Sequence, residues 1–371
     1  MTDQGLRPFR QFVLKAHSRC NLACDYCYVY KMADQGWRAQ PHAMSRATVE
    51  NTADRIAEHA RAHGLGKVDI ALHGGEPLLA GRTHLAWTVR TLRERVPAEV
   101  RVTVQTNGTL LDEDFLHLFA DLGVRVGVSV DGDARTHDHR RRGHDGAGSH
   151  GATARGLRLL AAPEFRPIYA GLLCVVDLSH DPLATYSALL EHEPPAIDLL
   201  LPHGNWTAPP PRREPGSAET PYADWLGAVF DHWYAAPVKR TSVRLFDELL
   251  NLLLNGRSGV ESIGAAPAQH VVVQTDGSIE LSDTLASAYD GAAITGLHVS
   301  RDPFDAALRP EPERSRACAT CPELAICGGG LPAHRYRADN GFTNPSVYCP
   351  DLLGLIHHVR TRLTTDLAAL R

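Results

Sequence analysis

Apolar residues along this chain follow two rhythms. The stretches QFVLKA (11–16), KVDIAL (67–72), EVRVTVQ (99–105), VRVGVSV (124–130), IYAGLLCVV (168–176) and AIDLLL (196–201) are short and rich in β-branched residues, and they read as strands. Between them, apolar positions recur at helical spacing over about 45–63, where Val49, Ala53, Ile56 and Ala60 repeat, and over about 83–95, 112–121, 152–161 and 181–191. Strands that alternate with helices must run parallel, joined by helical crossovers. The strands show little strict alternation, as expected where both faces are covered. The pattern predicts an α/β fold, a partial (β/α)6 TIM-like barrel over residues 11–205. A doubly wound open sheet is the competing topology.

Beyond residue 203 the rhythm breaks. HGNWTAPPPRREPGSAET (203–220) is a proline-rich connection that closes the barrel strands. Helices are expected at 219–235 and 242–255. HVVVQTDGSIELSD then reads as two short strands joined by Asp276-Gly277, a hairpin signal. A final helix is expected over 351–370. The reading is a tail at 1–10, the barrel at 11–205, bridging helices at 206–255 and a small α+β domain at 256–371.

Composition narrows the function classes. Of 371 residues, 43% are hydrophobic and 22% charged, which suits a packed globular chain rather than disorder. A net charge of −5 argues against a nucleic-acid partner. MTDQGLRPFRQF lacks the apolar core of a signal peptide, and no apolar run is long enough for a bilayer, so a cytoplasmic protein with no membrane partner is expected. Eight cysteines fall three near the front and four near the end, with Cys174 alone in an apolar strand. In a reducing compartment such grouping suggests metal ligands rather than disulfides.

The front group is Cys20, Cys24 and Cys27 in KAHSRCNLACDYCYVYKM. Three thiolates on a short loop can hold three irons of a 4Fe–4S cluster and leave the fourth iron open to a small molecule. Zinc also takes closely spaced thiolates, so a zinc loop is the rival on spacing alone. The spacing, with Tyr26 before the last cysteine, resembles the radical S-adenosylmethionine (SAM) enzymes, in which the open iron chelates SAM. His73-Gly74-Gly75-Glu76-Pro77 matches the GGEP pattern of that superfamily. The resemblance assigns Glu76 and the backbone of Gly74 and Gly75 to the methionyl amino group. It assigns Ser129 and Asp131, after the fourth strand, to the ribose, with Asn107 in QTNG as a further contact. HDHRRRGHDGAGS (137–149) resembles the run in which Arg141 pairs with a ligand carboxylate; the alternative is a solvated basic loop with Ser149 as a helix cap.

The second group is Cys318, Cys321, Cys327 and Cys349. Four thiolates close either a cluster or a structural zinc site. Their spacing resembles the SPASM or twitch-type extension, where these positions hold an auxiliary 4Fe–4S cluster. Gly264, Ser282 and Leu331 stand about where a second auxiliary cluster would need cysteines, so one such cluster is expected. Asp283 sits where anaerobic sulfatase-maturating enzymes, which share this architecture, keep a catalytic aspartate. It is the candidate base, with Glu280 as the fallback.

LLPHGNW (200–206), VQTDGSIELSDTL (273–285) and CGGGLPAHRYRADNGFTNPSVYCPDLLGLIHHV (327–359) resemble the FxsB-type radical SAM/SPASM peptide maturases. That resemblance implies a three-residue cyclophane, aromatic ring to side-chain Cβ, installed in a ribosomally made precursor peptide. It also implies an external one-electron reductant of flavodoxin or ferredoxin type. The rival readings are another radical SAM peptide modification, thioether formation or residue oxidation, and a non-catalytic zinc-binding scaffold.

Overall fold

The six stretches expected as strands are strands: β1 Gln11–His17, β2 Lys67–Gly74, β3 Glu99–Thr106, β4 Val124–Ser129, β5 Tyr169–Val175 and β6 Ala196–Leu200. They are followed by β7 Ser242–Val243, β8 His270–Val273, β9 Ser278–Glu280 and β10 Ile294–His298. The computed structural model describes residues 6–214, 216–264, 269–310 and 313–369. These form two units. The first holds the described residues up to Val130, with His137–Leu172 and Gln269–Pro310. The second holds Asp131–Thr136 and the described residues of Leu173–Ala268 and Glu311–Arg371.

In the first unit the strands lie in the order β10-β9-β8-β1-β2-β3-β4. β1 to β4 are mutually parallel, with Phe12 opposite Ile70, Ile70 opposite Val102 and Val102 opposite Val124. The expected lack of alternation does not hold. In β2 and β3, Val68, Ile70, Leu72, Val102 and Val104 are buried, while the residues between them are exposed or half-buried. The buried face packs under helices Arg46–Ala62, Arg82–Arg95 and Glu113–Asp121, which present Ile56, Val89 and Leu116. The other face carries Lys15, His73, Gln105 and Ser129; the register sets Lys15 opposite His73 and Gln105 opposite Gly127. A strand's two-residue period thus separates an apolar side from a polar side that carries chemistry.

Two local features differ from the sequence reading. The polar loop expected after β4 contains a helix, Ala134–Arg140. The 270–280 hairpin forms as expected, with Val273 opposite Ile279, but β8 also pairs in parallel with β1, Phe12 opposite Val271. Residues 269–310 therefore pack in the first unit rather than with the C-terminal cysteines. Val271, Val272 and Val273 are fully buried, the pattern of an inner strand rather than an edge.

In the second unit, β6 and β7 pair in parallel, Ile197 opposite Val243. Helices Pro221–Ala235, Arg244–Leu253 and Cys349–Ala369 enclose an aromatic core in which Phe230 and Phe246 meet edge to face at 5.3 Å. Asp351 caps the first of these helices by accepting the N–H groups of Tyr222 at 2.8 Å and Ala223 at 3.2 Å. Among the described residues, no helix is long and apolar enough to cross a membrane.

Candidate active site and cysteine centres

The loop bearing Cys20, Cys24 and Cys27 is held by the backbone and side chains of the run 140–144, within the first unit. Leu22 forms an antiparallel bridge with Gly143, and Ala23 N–H donates to Arg142 O at 2.7 Å. Arg140 pairs with Asp25 at 2.9 Å, and His144 Nε2 meets Cys20 O at 3.0 Å. The basic run 137–149 is therefore a clamp on the cysteine loop rather than a solvated loop. Ser149 does not cap the following helix. Its hydroxyl donates to Arg141 O at 2.7 Å, and Asp138 accepts His150 N–H instead.

From below, Asn107 reaches the loop. Its Nδ2 lies 2.9 Å from Asn21 Oδ1 and 3.7 Å from Cys20 Sγ. Its backbone N–H donates to Glu76 Oε2 at 2.8 Å. Glu76 is fully buried, and its other oxygen accepts from Thr106 Oγ1 at 2.8 Å and Leu78 N–H at 3.0 Å. Burial pushes this carboxyl up, and three donors oppose the shift. Glu76 thus ties the turn after β2 to the turn after β3.

The paired glycines have a steric reason internal to the chain. A Cβ on Gly74 would lie 2.1 Å from His17 O. One on Gly75 would lie 1.9 Å from Tyr30 Oη and 2.4 Å from Arg19 O. Side chains are excluded because this turn lies flat on the entry to the cysteine loop, where Gly75 N–H donates to His17 O and Glu76 N–H to Arg19 O. Arg141 is buried and donates to Tyr26 Oη at 2.6 Å, and its charge also reaches Glu76. Ser129 accepts from Gln105 Nε2 at 3.0 Å. Gly127 makes room for that amide, since a Cβ there would lie 2.4 Å from Gln105 Oε1. Asp131, buried in the second unit, accepts Val175 N–H at 3.0 Å.

A cavity of about 380 Å³ in the first unit is lined by Gly74, Gly75, Ser18, Tyr28, Asp283 and Glu280, among others. At its wall Asp283 Oδ2 accepts from Lys15 Nζ at 2.5 Å and Tyr28 Oη at 2.7 Å. Lys15 Nζ also meets His73 Nδ1 at 3.1 Å. Burial alone would raise the Asp283 carboxyl. The Lys15 ammonium and the two hydrogen bonds outweigh it and hold the group well below the usual carboxylate range. Burial lowers His73 to about 4, so the ring is neutral and accepts from Lys15 through Nδ1. Glu280 accepts from Gln274 Nε2 at 2.6 Å, and burial lifts its carboxyl. The sequence reading missed Lys15, His73 and Tyr28. Lys15 had a signal: it is the one lysine, arginine or carboxylate in a strand whose other central residues, Phe12, Val13, Leu14 and Ala16, are apolar, five residues before the first cysteine.

In the second unit Cys318, Cys321, Cys327 and Cys349 line one small cavity with Ala317, Leu324 and Leu353. Burial and the neighbouring thiols push Cys349 up to about 11, and burial also raises Cys327. In the front loop burial takes Cys20 to about 12. Thiols crowded and buried in this way favour deprotonation only when a cationic centre joins them. All eight cysteines are free of disulfides. A tetrahedral zinc would draw its thiolates to about 3.8 Å from one another. Among the described residues, three ligand atoms within 4.8 Å of one another occur only at His59, His63 and Asp305.

Two of the three stretches that resemble peptide maturases, 200–206 and 327–359, are tied together in the second unit with the rear cysteines. Trp206 Nε1 donates to Pro345 O at 2.7 Å and Tyr348 Oη to Pro202 O at 2.6 Å. Arg335 grips the glycine turn after Cys327 through Gly330 O at 2.8 Å and Gly329 O at 3.1 Å. Gly264 stands against that turn, where a Cβ on Gly328 would lie 1.9 Å from its carbonyl. In the first unit Ser282 pairs with Thr284 at 2.8 Å.

Known proteins match this arrangement. The model of the Radical SAM superfamily matches residues 15–174. The serine-type anaerobic sulfatase-maturating enzyme of Bacteroides thetaiotaomicron is 22% identical over 377 residues, 95% of this chain and 90% of that one. The cysteine-type anaerobic sulfatase-maturating enzyme of Clostridium perfringens strain 13 is 25% identical over 374 residues, 96% and 97% of the two chains. The structure of native anSMEcpe with bound AdoMet and Cp18Cys peptide has a TM-score of 0.80 at 21% identity, covering 97% of this chain and 99% of that one. Streptococcus suis SuiB bound to precursor peptide SuiA has a TM-score of 0.58 at 13% identity, covering 92% and 76%. The α/β fold expected from the sequence is the fold of these structures.

Proposed function

We propose that this chain is a radical SAM enzyme, using a 4Fe–4S cluster and SAM, that modifies a ribosomally made peptide by closing a three-residue cyclophane; the match of residues 15–174 to the Radical SAM superfamily supports the first part of that reading. The same match weighs against a non-catalytic zinc scaffold. Cys20, Cys24 and Cys27 would hold the cluster, and the Gly74–Glu76 turn, Asn107, Ser129, Tyr26 and Arg141 of the same unit would position SAM. Cys318, Cys321, Cys327 and Cys349 would hold one auxiliary cluster that takes an electron from the substrate. When bound, the cluster and SAM supply one-electron cleavage of the sulfonium and thereby hydrogen-atom removal from a substrate side-chain Cβ.

The observation that carries the reading is Asp283, an ionised carboxylate on the same cavity wall as Gly74 and Gly75. A carboxylate held this low is a weak base. It suits a strongly acidic proton, such as the one an aromatic ring sheds after carbon attack and loss of an electron. Lys15 and Tyr28 occupy one oxygen and leave Oδ1 for that proton. The three stretches that resemble FxsB-type maturases support the same substrate class.

A second reading follows from the names of the relatives, both maturating enzymes of sulfatases. It is oxidation of a single seryl or cysteinyl residue; thioether formation is the remaining alternative. The test is anaerobic incubation of the reconstituted enzyme with SAM, dithionite and candidate precursor peptides from short reading frames near its gene. A cyclophane loses two hydrogens and resists fragmentation between the linked residues. A product that instead forms a hydrazone with a hydrazine reagent, and fragments at every bond, refutes the cyclophane. Asp283→Ala should keep deoxyadenosine release and lose the cross-link.

A further inference from the structure

His59 lies in the last turn of helix Arg46–Ala62, and His63 follows four residues later. Asp305 lies in the turn Phe304–Ala307 beyond β10. One ring nitrogen from each histidine and one oxygen of Asp305 lie within 4.8 Å of one another. His63 Nε2 is 3.0 Å from both carboxylate oxygens. His59 Nδ1 faces Asp305 Oδ1 directly.

The tautomer of His59 makes this contact informative. Its Nε2 lies 3.2 Å from the carbonyl of Phe9, which can only accept. Nε2 therefore carries the hydrogen, and in a neutral ring Nδ1 presents a lone pair. That lone pair points at a carboxylate oxygen, which presents another. Two lone pairs do not meet without a positive centre. The ring is 1% exposed and sits among Phe9, Phe12 and Phe304, so the contact is sealed from solvent on the histidine side. A metal ion satisfies all three groups, and the Phe9 carbonyl then fixes the ring as outer-shell partners of metal-bound histidines commonly do.

We propose that His59 Nδ1, His63 Nε2 and the Asp305 carboxylate bind a divalent transition-metal ion of the zinc, nickel or cobalt class, separate from the cysteine centres. Two imidazoles and one carboxylate select such ions over magnesium or calcium. Three protein ligands with a 43% exposed carboxylate leave the remaining position to water. The ion would fasten helix Arg46–Ala62 to the segment Gln269–Pro310, which also carries Asp283.

The test uses the iron-loaded protein, stripped of loosely held metal, exposed to Zn2+ and desalted, with metals counted by mass spectrometry. The wild type should retain about one zinc per chain beyond its iron and melt at a higher temperature with zinc than without. His63→Ala and Asp305→Asn should each weaken zinc binding by about 10- to 100-fold and lose the thermal shift, with iron content unchanged. Equal zinc retention and equal thermal response in wild type and both variants would overturn the site. So would absence of zinc uptake by the wild type, which would leave a protonated His59 as the occupant. Neither readout involves SAM cleavage or a peptide, so this site and the proposed activity stand or fall separately.

Discussion

Lys15 Nζ lies 2.5 Å from Asp283 Oδ2, although 268 residues separate them in the chain. The lysine is 6% exposed and the aspartate 17%, so neither charge is well solvated without the other. Lys15→Met should cost about 3–5 kcal/mol, because it strands a buried carboxylate. It should also raise the Asp283 carboxyl toward neutral pH. Cross-linking in the variant should then fall as the medium is acidified through the new value, while the wild type stays flat over the same range. Peptide product measured against pH, with deoxyadenosine release as the control, checks this.

Stability against acid follows from the same depression. Asp283 titrates lower in the folded state than in the unfolded chain. Its contribution is complete above the unfolded carboxylate value of about 3.9 and declines as pH falls below it toward the folded value. Denaturant melts from pH 6 down to about 3 should show a shallower loss for Asp283→Asn than for the wild type.

Gly75→Ala should damage the cysteine loop directly, since the new methyl would lie 1.9 Å from Tyr30 Oη and 2.4 Å from Arg19 O. Backbone on one side cannot yield cheaply, so a loss of at least about 1–3 kcal/mol is expected, with SAM cleavage reduced. Gly151→Ala is the control. Nothing lies within 4 Å of its added carbon, and the change should be neutral or stabilising by up to about 1 kcal/mol. Thermal melts of both variants provide the comparison.

Asn107 touches Cys20 Sγ and Asn21 and anchors Glu76. Asn107→Ala should lower deoxyadenosine release by about 10- to 100-fold while iron content changes little, as loss of an outer-shell partner does. A parallel fall in iron would show that Asn107 only shapes the loop.

With the auxiliary cluster proposed above, Cys349→Ser should remove roughly half the iron, about four of eight atoms per chain. Deoxyadenosine release should persist, and cross-linked product should be lost. Iron analysis beside the two activity measurements separates the centres.

The sequence alone determined the first six strands, most of the helices between them and the two cysteine groups, because each is written in a contiguous stretch. Helical spacing of Val49, Ala53 and Ile56 needs no distant partner, and neither does the grouping of Cys20, Cys24 and Cys27. Only the tertiary structure decided what the polar residues between those landmarks do. Which face of β1 turns Lys15 toward Asp283, why β8 settles beside β1, and why the run 140–144 grips the cysteine loop are set by register and by pairings across long stretches of chain. A local pattern cannot hold that information, since a buried charge chooses its partner from whatever the folded chain brings within reach.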